Sequence, residues 1–232
     1  MARTVIRTTD FARRAAEFII ERGRAALGAR NEFRIALSGG KTPRAVYAAL
    51  ANQREALPIA RTIFSFGDER CVPPTDAESN FRMADDALFR PAHIPETSVL
   101  RMRGEIEPAR AAAEYQEQLD TLAAARREKI YQHDLILLGL GDDGHTASLF
   151  PETTALTEID RRVAANYVPK LQAWRLTFTF PLILAAREIC FLVGAGKDPA
   201  LLQRVLDGDA TLPAARVDMN ASAVTWIHEE VA

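Results

Sequence analysis

The sequence predicts an α/β fold, a mostly parallel sheet flanked by helices. Short apolar runs of strand length alternate with helix-period segments along the chain. The run from Asp134 to Leu138 is almost continuously apolar, as in a strand buried on both faces of a parallel sheet. Strands separated by helices at this spacing build βαβ units, which makes neighbouring strands parallel.

The elements follow in order. Asp10 stands where a cap opens a helix carrying Phe11, Ala15, Phe18, Ile19 and Ala26 on one face and ending near Gly28. Phe33 to Leu37 is a strand. Thr42 and Pro43 then read as the cap and first position of the next helix. Thr62 to Phe66 is a strand, and Ser79 to Phe89 and Pro108 to Arg127 are helices. After Asp134 to Leu138, Trp174 to Phe180 alternates Leu176, Phe178 and Phe180 as a strand does, with Pro181 interrupting it. Ile189 to Val193 is a buried strand, Pro199 to Leu206 a helix and Ala223 to Ile227 the last strand.

No linker, repeat or low-complexity stretch divides the 232 residues, so 1–232 is read as one domain. Lys and Arg number 29 against 31 Asp and Glu, a net charge of −2. That balance gives no basic face for nucleic acid or an anionic membrane. No apolar run approaches the roughly 18 residues of a membrane span. Charges at Asp10, Arg13, Arg14 and Glu17 interrupt any signal-peptide core, and a cytoplasmic protein is expected. Cys71 and Cys190 suggest neither a disulfide framework nor a zinc cluster, and His93, His133 and His228 have no metal-ligand spacing. No metal or cofactor is expected.

In parallel α/β sheets ligands sit beyond the carboxyl ends of the strands, so the residues after each strand matter most. Ser38-Gly39-Gly40-Lys41-Thr42 follows the first buried strand and opens a helix. Glycines allow close backbone approach, free N–H groups and the helix dipole favour an anion, and Ser38, Lys41 and Thr42 add donors. A tight, well-capped turn would look similar. The spacing is not that of a Walker A loop. After the next strand, Arg70 can hold a phosphate bidentately, with Asp68 or Glu69 to orient it; alternatively the stretch is a solvated charged turn. The third loop, Gly139 to Ser148, formally contains a dinucleotide fingerprint. Asp142 and Asp143 would place negative charge inside the pyrophosphate cradle, which argues against it. It does place His145 beside Asp143, a base with a carboxylate to orient it or raise its basicity. Lys170 is a second candidate phosphate cation or a surface lysine. No Gly-x-Ser-x-Gly elbow marks a serine hydrolase.

Together these blocks resemble the 6-phosphogluconolactonase family. The resemblance is carried by Leu37 to Pro43, Asp68 to Arg70 with Val72-Pro73 and Ser79-Asn80, and Gly139 to Pro151. Val168 to Lys170, Trp174 to Thr177, Phe191 to Val193 and Pro213 to Val217 extend it to nearly the whole chain. It implies a Rossmann-like sheet and hydrolysis of 6-phospho-D-glucono-1,5-lactone to 6-phosphogluconate, in the oxidative pentose phosphate pathway, without metal or organic cofactor. It implies His145 as general base and a phosphate held by Ser38, Gly39, Gly40, Lys41, Thr42, Arg70 and Lys170. Cys71, Leu171 and Leu184 depart from the usual Trp, Pro and Asn of similar sequences and put fine packing near the site in question. The expected partner is a small sugar-phosphate lactone, and monomer and homodimer both fit the composition.

Two other functions compete with this reading. An amino-sugar phosphate deaminase or isomerase on the same fold needs a carboxylate in the block after the histidine, where this chain has Ala147-Ser148-Leu149. A non-catalytic sugar-phosphate sensor would normally carry a DNA-binding module, for which there is no room before residue 33.

Overall fold

The computed structural model describes residues 2–230. Its elements are β1 (Ala2–Thr8), α1 (Phe11–Arg30), β2 (Phe33–Leu37), α2 (Lys41–Ala51), β3 (Thr62–Phe66), β4 (Asp68–Arg70), α3 (Asn80–Ala84) and α4 (Pro108–Ala124). They continue with β5 (Leu135–Gly139), β6 (Val163–Val168), β7 (Ala173–Phe178), α5 (Phe180–Leu184), β8 (Glu188–Val193), α6 (Pro199–Leu206), α7 (Pro213–Asn220) and β9 (Ala223–Glu229). Six strands form the main sheet in the order β1-β9-β8-β5-β2-β3, with every neighbouring pair parallel. A smaller antiparallel sheet, β4-β7-β6, stands beside it.

Pleating divides the core into two layers. Ile35 and Leu37 of β2 join Phe18 and Ile19 of α1 and Val46 and Tyr47 of α2 on one side of the main sheet. Ala36 of β2, with Ile136 and Leu138 of β5, faces Leu119 of α4, Val205 of α6 and Val217 of α7 on the other. Successive strand residues point to opposite faces, so a parallel strand covered on both sides is apolar throughout.

Several boundaries differ from the sequence expectations. Asp10 occupies the capping position of α1, but its carboxylate bonds the Arg13 side chain instead of the helix. The helix runs past Gly28 to Arg30 and ends where Asn31 turns left-handed at φ 62°. Ser79 does cap α3, accepting from the Arg82 N–H at 3.2 Å, but the helix widens into a π turn over Asp85–Phe89. β7 stops at Phe178, and Phe180 with Pro181 begins the short helix α5, a first-turn place that proline tolerates. Strand β1 was not anticipated, because its faces are mostly exposed and it carries no apolar alternation. It is an edge strand, and Arg3 and Arg7 are charges of the kind that discourage further strand pairing. Helix α7 likewise spans only eight residues, too short for its periodicity to stand out in the sequence.

His133, just before β5, lies fully buried between Tyr131 and Phe178. Its Nε2 pairs with the Ser65 hydroxyl at 2.9 Å, and its Nδ1 has no partner. Burial, helped by the Arg34 charge, pushes its pKa down to about 3. The unfolded chain, with an ordinary histidine near pH 6.5, binds this proton first as pH falls. The stability contributed by the neutral ring is therefore complete above about pH 6.5 and is lost as pH drops toward 3, by at most about 1.4 kcal/mol per pH unit. The denaturant midpoint should fall more steeply between pH 7 and pH 5 in the native sequence than in His133→Gln. Equal pH slopes would refute this.

Candidate active site

The strand order reverses its direction of growth at β2, whose neighbours are β3 on one side and β5 on the other. A crevice opens beyond the carboxyl ends of strands at such a switch point. Here it is a cleft of about 460 Å³. Ser38, Gly39, Gly40, Lys41, Thr42, Arg70, Asp143, His145 and Lys170 all line it. Every candidate site residue from the sequence is thus brought to one place, by β2, β4, β5 and the β6–β7 turn.

Tyr47 of α2 fixes the first loop. Its hydroxyl donates to the Ser38 carbonyl at 2.8 Å and accepts from the Ser38 N–H at 2.9 Å. The Ser38 hydroxyl is buried without a partner. Gly40, at φ 108°, holds the capping position of α2, so Thr42 is not the cap and Pro43 lies within the first turn. The Thr42 hydroxyl instead packs against Gly194, where an added Cβ would come within 2.7 Å of it. Gly39 passes so close to Asn80 that a Cβ would meet the Asn80 Oδ1 at 1.9 Å.

The charged stretch after β3 is not a solvated turn. Asp68 to Arg70 form β4, paired antiparallel with β7, and the three residues have separate tasks. Glu69 is buried and accepts from the N–H groups of Arg70 and Asn80 at 2.7 Å, of Phe81 at 2.8 Å, and from the Ser79 hydroxyl at 3.1 Å. Burial pushes its pKa up, and the three N–H bonds pull it back. Asp68 accepts from the Ser148 hydroxyl at 2.7 Å. Neither acid orients the Arg70 guanidinium, contrary to expectation. That group donates to the Glu78 carbonyl at 2.6 Å and lies 3.7 Å from the Glu78 carboxylate, while its Nε is buried and unpartnered.

In the third loop the His145 Nδ1 lies 2.5 Å from Asp143 Oδ1. The imidazole stacks on Phe150 with ring centroids 3.9 Å apart. The second oxygen, Asp143 Oδ2, accepts from Lys170 Nζ at 2.9 Å. Burial opposes ionisation of Asp143, but the hydrogen bonds from Lys170 and His145 outweigh it and hold the pKa at about 2. An ionised carboxylate only accepts, so Nδ1 carries the ring proton and the Nε2 lone pair remains for a ligand. Gly141 permits this placement: a Cβ there would lie 2.0 Å from the His145 Nδ1.

Two further cations were not singled out from the sequence. Lys197, after β8, bonds Asp142 at 2.6 Å, and Arg175 of β7 lies beside Arg70 across the small sheet. Arg175 lies within a strand, so only the folded chain marks it, whereas Lys197 follows Gly194 and Gly196 in the loop that leads from β8 to α6, a strand-end position of the kind that binds ligands. Of the departing positions, Leu171 lines the cleft, Leu184 packs on the core from α5, and Cys71 faces a separate cleft beside Trp174. Burial pushes the Cys71 thiol up to about 11, which leaves it protonated. Among the described residues no three His, Cys, Asp or Glu side chains converge as metal ligands, and no helix is long and apolar enough to cross a membrane.

Residues 7–226 match the family described as glucosamine-6-phosphate isomerases/6-phosphogluconolactonase. The chain is 46% identical to a Synechocystis 6-phosphogluconolactonase over 178 residues, 76% of this chain and 72% of that protein. It is 35% identical to the human 6-phosphogluconolactonase over 225 residues, 94% of this chain and 86% of that one. The crystal structure of 6-phosphogluconolactonase from Thermotoga maritima matches it with a TM-score of 0.86 at 27% identity, covering 98% of this chain and all of that one. The chain belongs to the glucosamine-6-phosphate isomerase/6-phosphogluconolactonase family.

Proposed function

We propose that the protein hydrolyses 6-phospho-D-glucono-1,5-lactone to 6-phosphogluconate, as a cytoplasmic enzyme of the oxidative pentose phosphate pathway. The observation that carries this is the Asp143-held imidazole of His145 opening on the same cleft as the Ser38–Thr42 loop and Arg70. A base and an anion site in one crevice suit an ester with a phosphate at its far end. The relatives named 6-phosphogluconolactonase support the same reading.

His145 Nε2 takes a proton from water as the water oxygen attacks the lactone carbonyl carbon. Asp143 steadies the imidazolium that forms. When the tetrahedral intermediate collapses, the bond from that carbon to the ring oxygen breaks, and the imidazolium returns its proton to the departing oxygen. The product is a hydroxy acid, and the imidazole is restored. The step needs no metal or cofactor, and general base catalysis of this kind is worth about 10²–10⁴-fold. The phosphate is anchored by Ser38, Gly39, Gly40, Lys41 and Thr42 at the start of α2 and by Arg70. Lys170 is engaged with Asp143, and an ammonium group has further protons for a substrate oxygen. In the isomerase reading, a carboxylate would have to move protons on an open sugar. The cleft's Asp68 is already committed to Ser148 and Asn80.

With freshly generated lactone, chelator present and spontaneous hydrolysis subtracted, His145→Ala should lose about 10²–10⁴-fold in kcat while staying folded. Turnover that survives would remove His145 from the base role. No turnover by the native sequence would overturn the lactonase assignment. Gly141→Ala should displace the ring from Asp143 and lower kcat more than it raises KM; unchanged kcat would contradict the geometry. Because hydrogen bonds from Lys170 and His145 hold Asp143 at about 2, its carboxyl should add no ionisation to the acid limb of kcat/KM above pH 4, read with glucono-1,5-lactone so that no substrate phosphate titrates in the window. A carboxyl ionisation there that disappears in Asp143→Asn would show that Asp143 is not held as described.

A further inference from the structure

Arg70 and Arg175 are direct partners across the β4–β7 ladder, and both line the cleft. Like charges placed opposite each other on one face of a sheet are destabilising. Such a pair needs either carboxylates to neutralise it or an anionic ligand. Among the described residues Arg175 makes no ion pair, and its one side-chain hydrogen bond is a long 3.4 Å contact to the Trp174 carbonyl. Arg70 donates to the Glu78 carbonyl at 2.6 Å, and its one ion-pair partner among the described residues is the well-exposed carboxylate of Glu78, at 3.7 Å. Asp68 shares this face of the small sheet, but its carboxylate serves Ser148 and Asn80 and is in ion-pair contact with neither guanidinium. Burial, with the Arg70 charge adding to it, lowers the pKa of Arg175, so the group pays a cost for its position.

The same cleft contains unsatisfied polar atoms. The Ser38 hydroxyl is 95% buried by its residue's exposure of 5% and has no partner, and the buried Arg70 Nε has none. Buried polar atoms are nearly always paired in a working state, by protein, water or ligand. We propose that Arg175 is a substrate-binding residue, the second guanidinium of a dianion clamp with Arg70 and the Ser38 hydroxyl, and that it sets the preference for phosphorylated over unphosphorylated lactones. The proposal rests on the lactonase reading for its substrate, but the clamp itself requires only a phosphate dianion. Two planar forks can take separate oxygens of one phosphate, which a lysine in the same place does less well.

The test compares the native sequence with Arg175→Gln and Arg175→Lys, each checked for folding by circular dichroism. Calorimetry with 6-phosphogluconate and with gluconate separates phosphate recognition from sugar recognition. Arg175→Gln should weaken 6-phosphogluconate by about tenfold or more, as expected for a charge-assisted bond. Gluconate binding should not change, and Arg175→Lys should recover part of the loss. In kinetics the Gln variant should raise KM for the phosphorylated lactone with little change in kcat, and leave turnover of glucono-1,5-lactone unaltered. Unchanged 6-phosphogluconate affinity, or equal losses for both ligands, would overturn the clamp. If the native sequence hydrolyses neither lactone but binds 6-phosphogluconate with the predicted Arg175 dependence, the lactonase reading fails and the clamp stands.

Discussion

The site depends on one buried carboxylate. Glu69 is 2% exposed, yet four donors converge on it, one from Arg70 beside it and three from the consecutive residues Ser79, Asn80 and Phe81. A buried acid without such donors would be severely destabilising; with them it ties β4 to the start of α3. This tie leaves Asp68 and Arg70 on the opposite face of β4, toward the cleft. It also seats Asn80 against Gly39, where no side chain fits. One carboxylate therefore sets the position of two cleft walls while taking no part in the chemistry.

The parallel sheet supplies the rest of the frame. Its switch point at β2 brings the Ser38–Thr42 loop and the Asp143–His145 loop to the same edge. The small antiparallel sheet then closes the cleft with Arg70, Arg175 and, from its turn, Lys170. Charge is distributed unevenly within it. Asp143 is clamped between His145 and Lys170 and Asp142 is paired with Lys197, whereas Arg70 and Arg175 remain poorly compensated. The cleft thus separates an imidazole whose Nδ1 faces a carboxylate from a pole of two guanidinium groups.

Much of this was legible in the chain. The apolar runs of β2, β3, β5 and β8 follow from burial on both faces, and loops after buried strands are where ligands bind, which led to Ser38, Arg70 and His145. Asp143 was found because it lies next to the histidine in sequence. β4 was not legible, since three consecutive charged residues have little strand propensity; it is a strand because Glu69 finds its donors and Arg70 pairs with Arg175. Arg175 is an isolated basic residue within a strand and reads as solvated surface until the fold shows what surrounds it. Lys197 did have a signal, since it follows Gly194 and Gly196 at the end of buried strand β8. Thr42 reads as a cap because its side chain suits that place, but Gly40 already supplies the required backbone turn.

The electronic state of His145 decides whether the cleft can act as described. Nitrogen-15 NMR of histidine-labelled protein at pH 8 reads it directly, since a protonated and a bare ring nitrogen resonate far apart. The His145 signals, identified by their absence in His145→Gln, should show a proton on Nδ1 and a bare Nε2, as a hydrogen bond to ionised Asp143 requires. A proton on Nε2 with Nδ1 bare would leave no lone pair facing the lactone, and would contradict the assignment of His145 as the base.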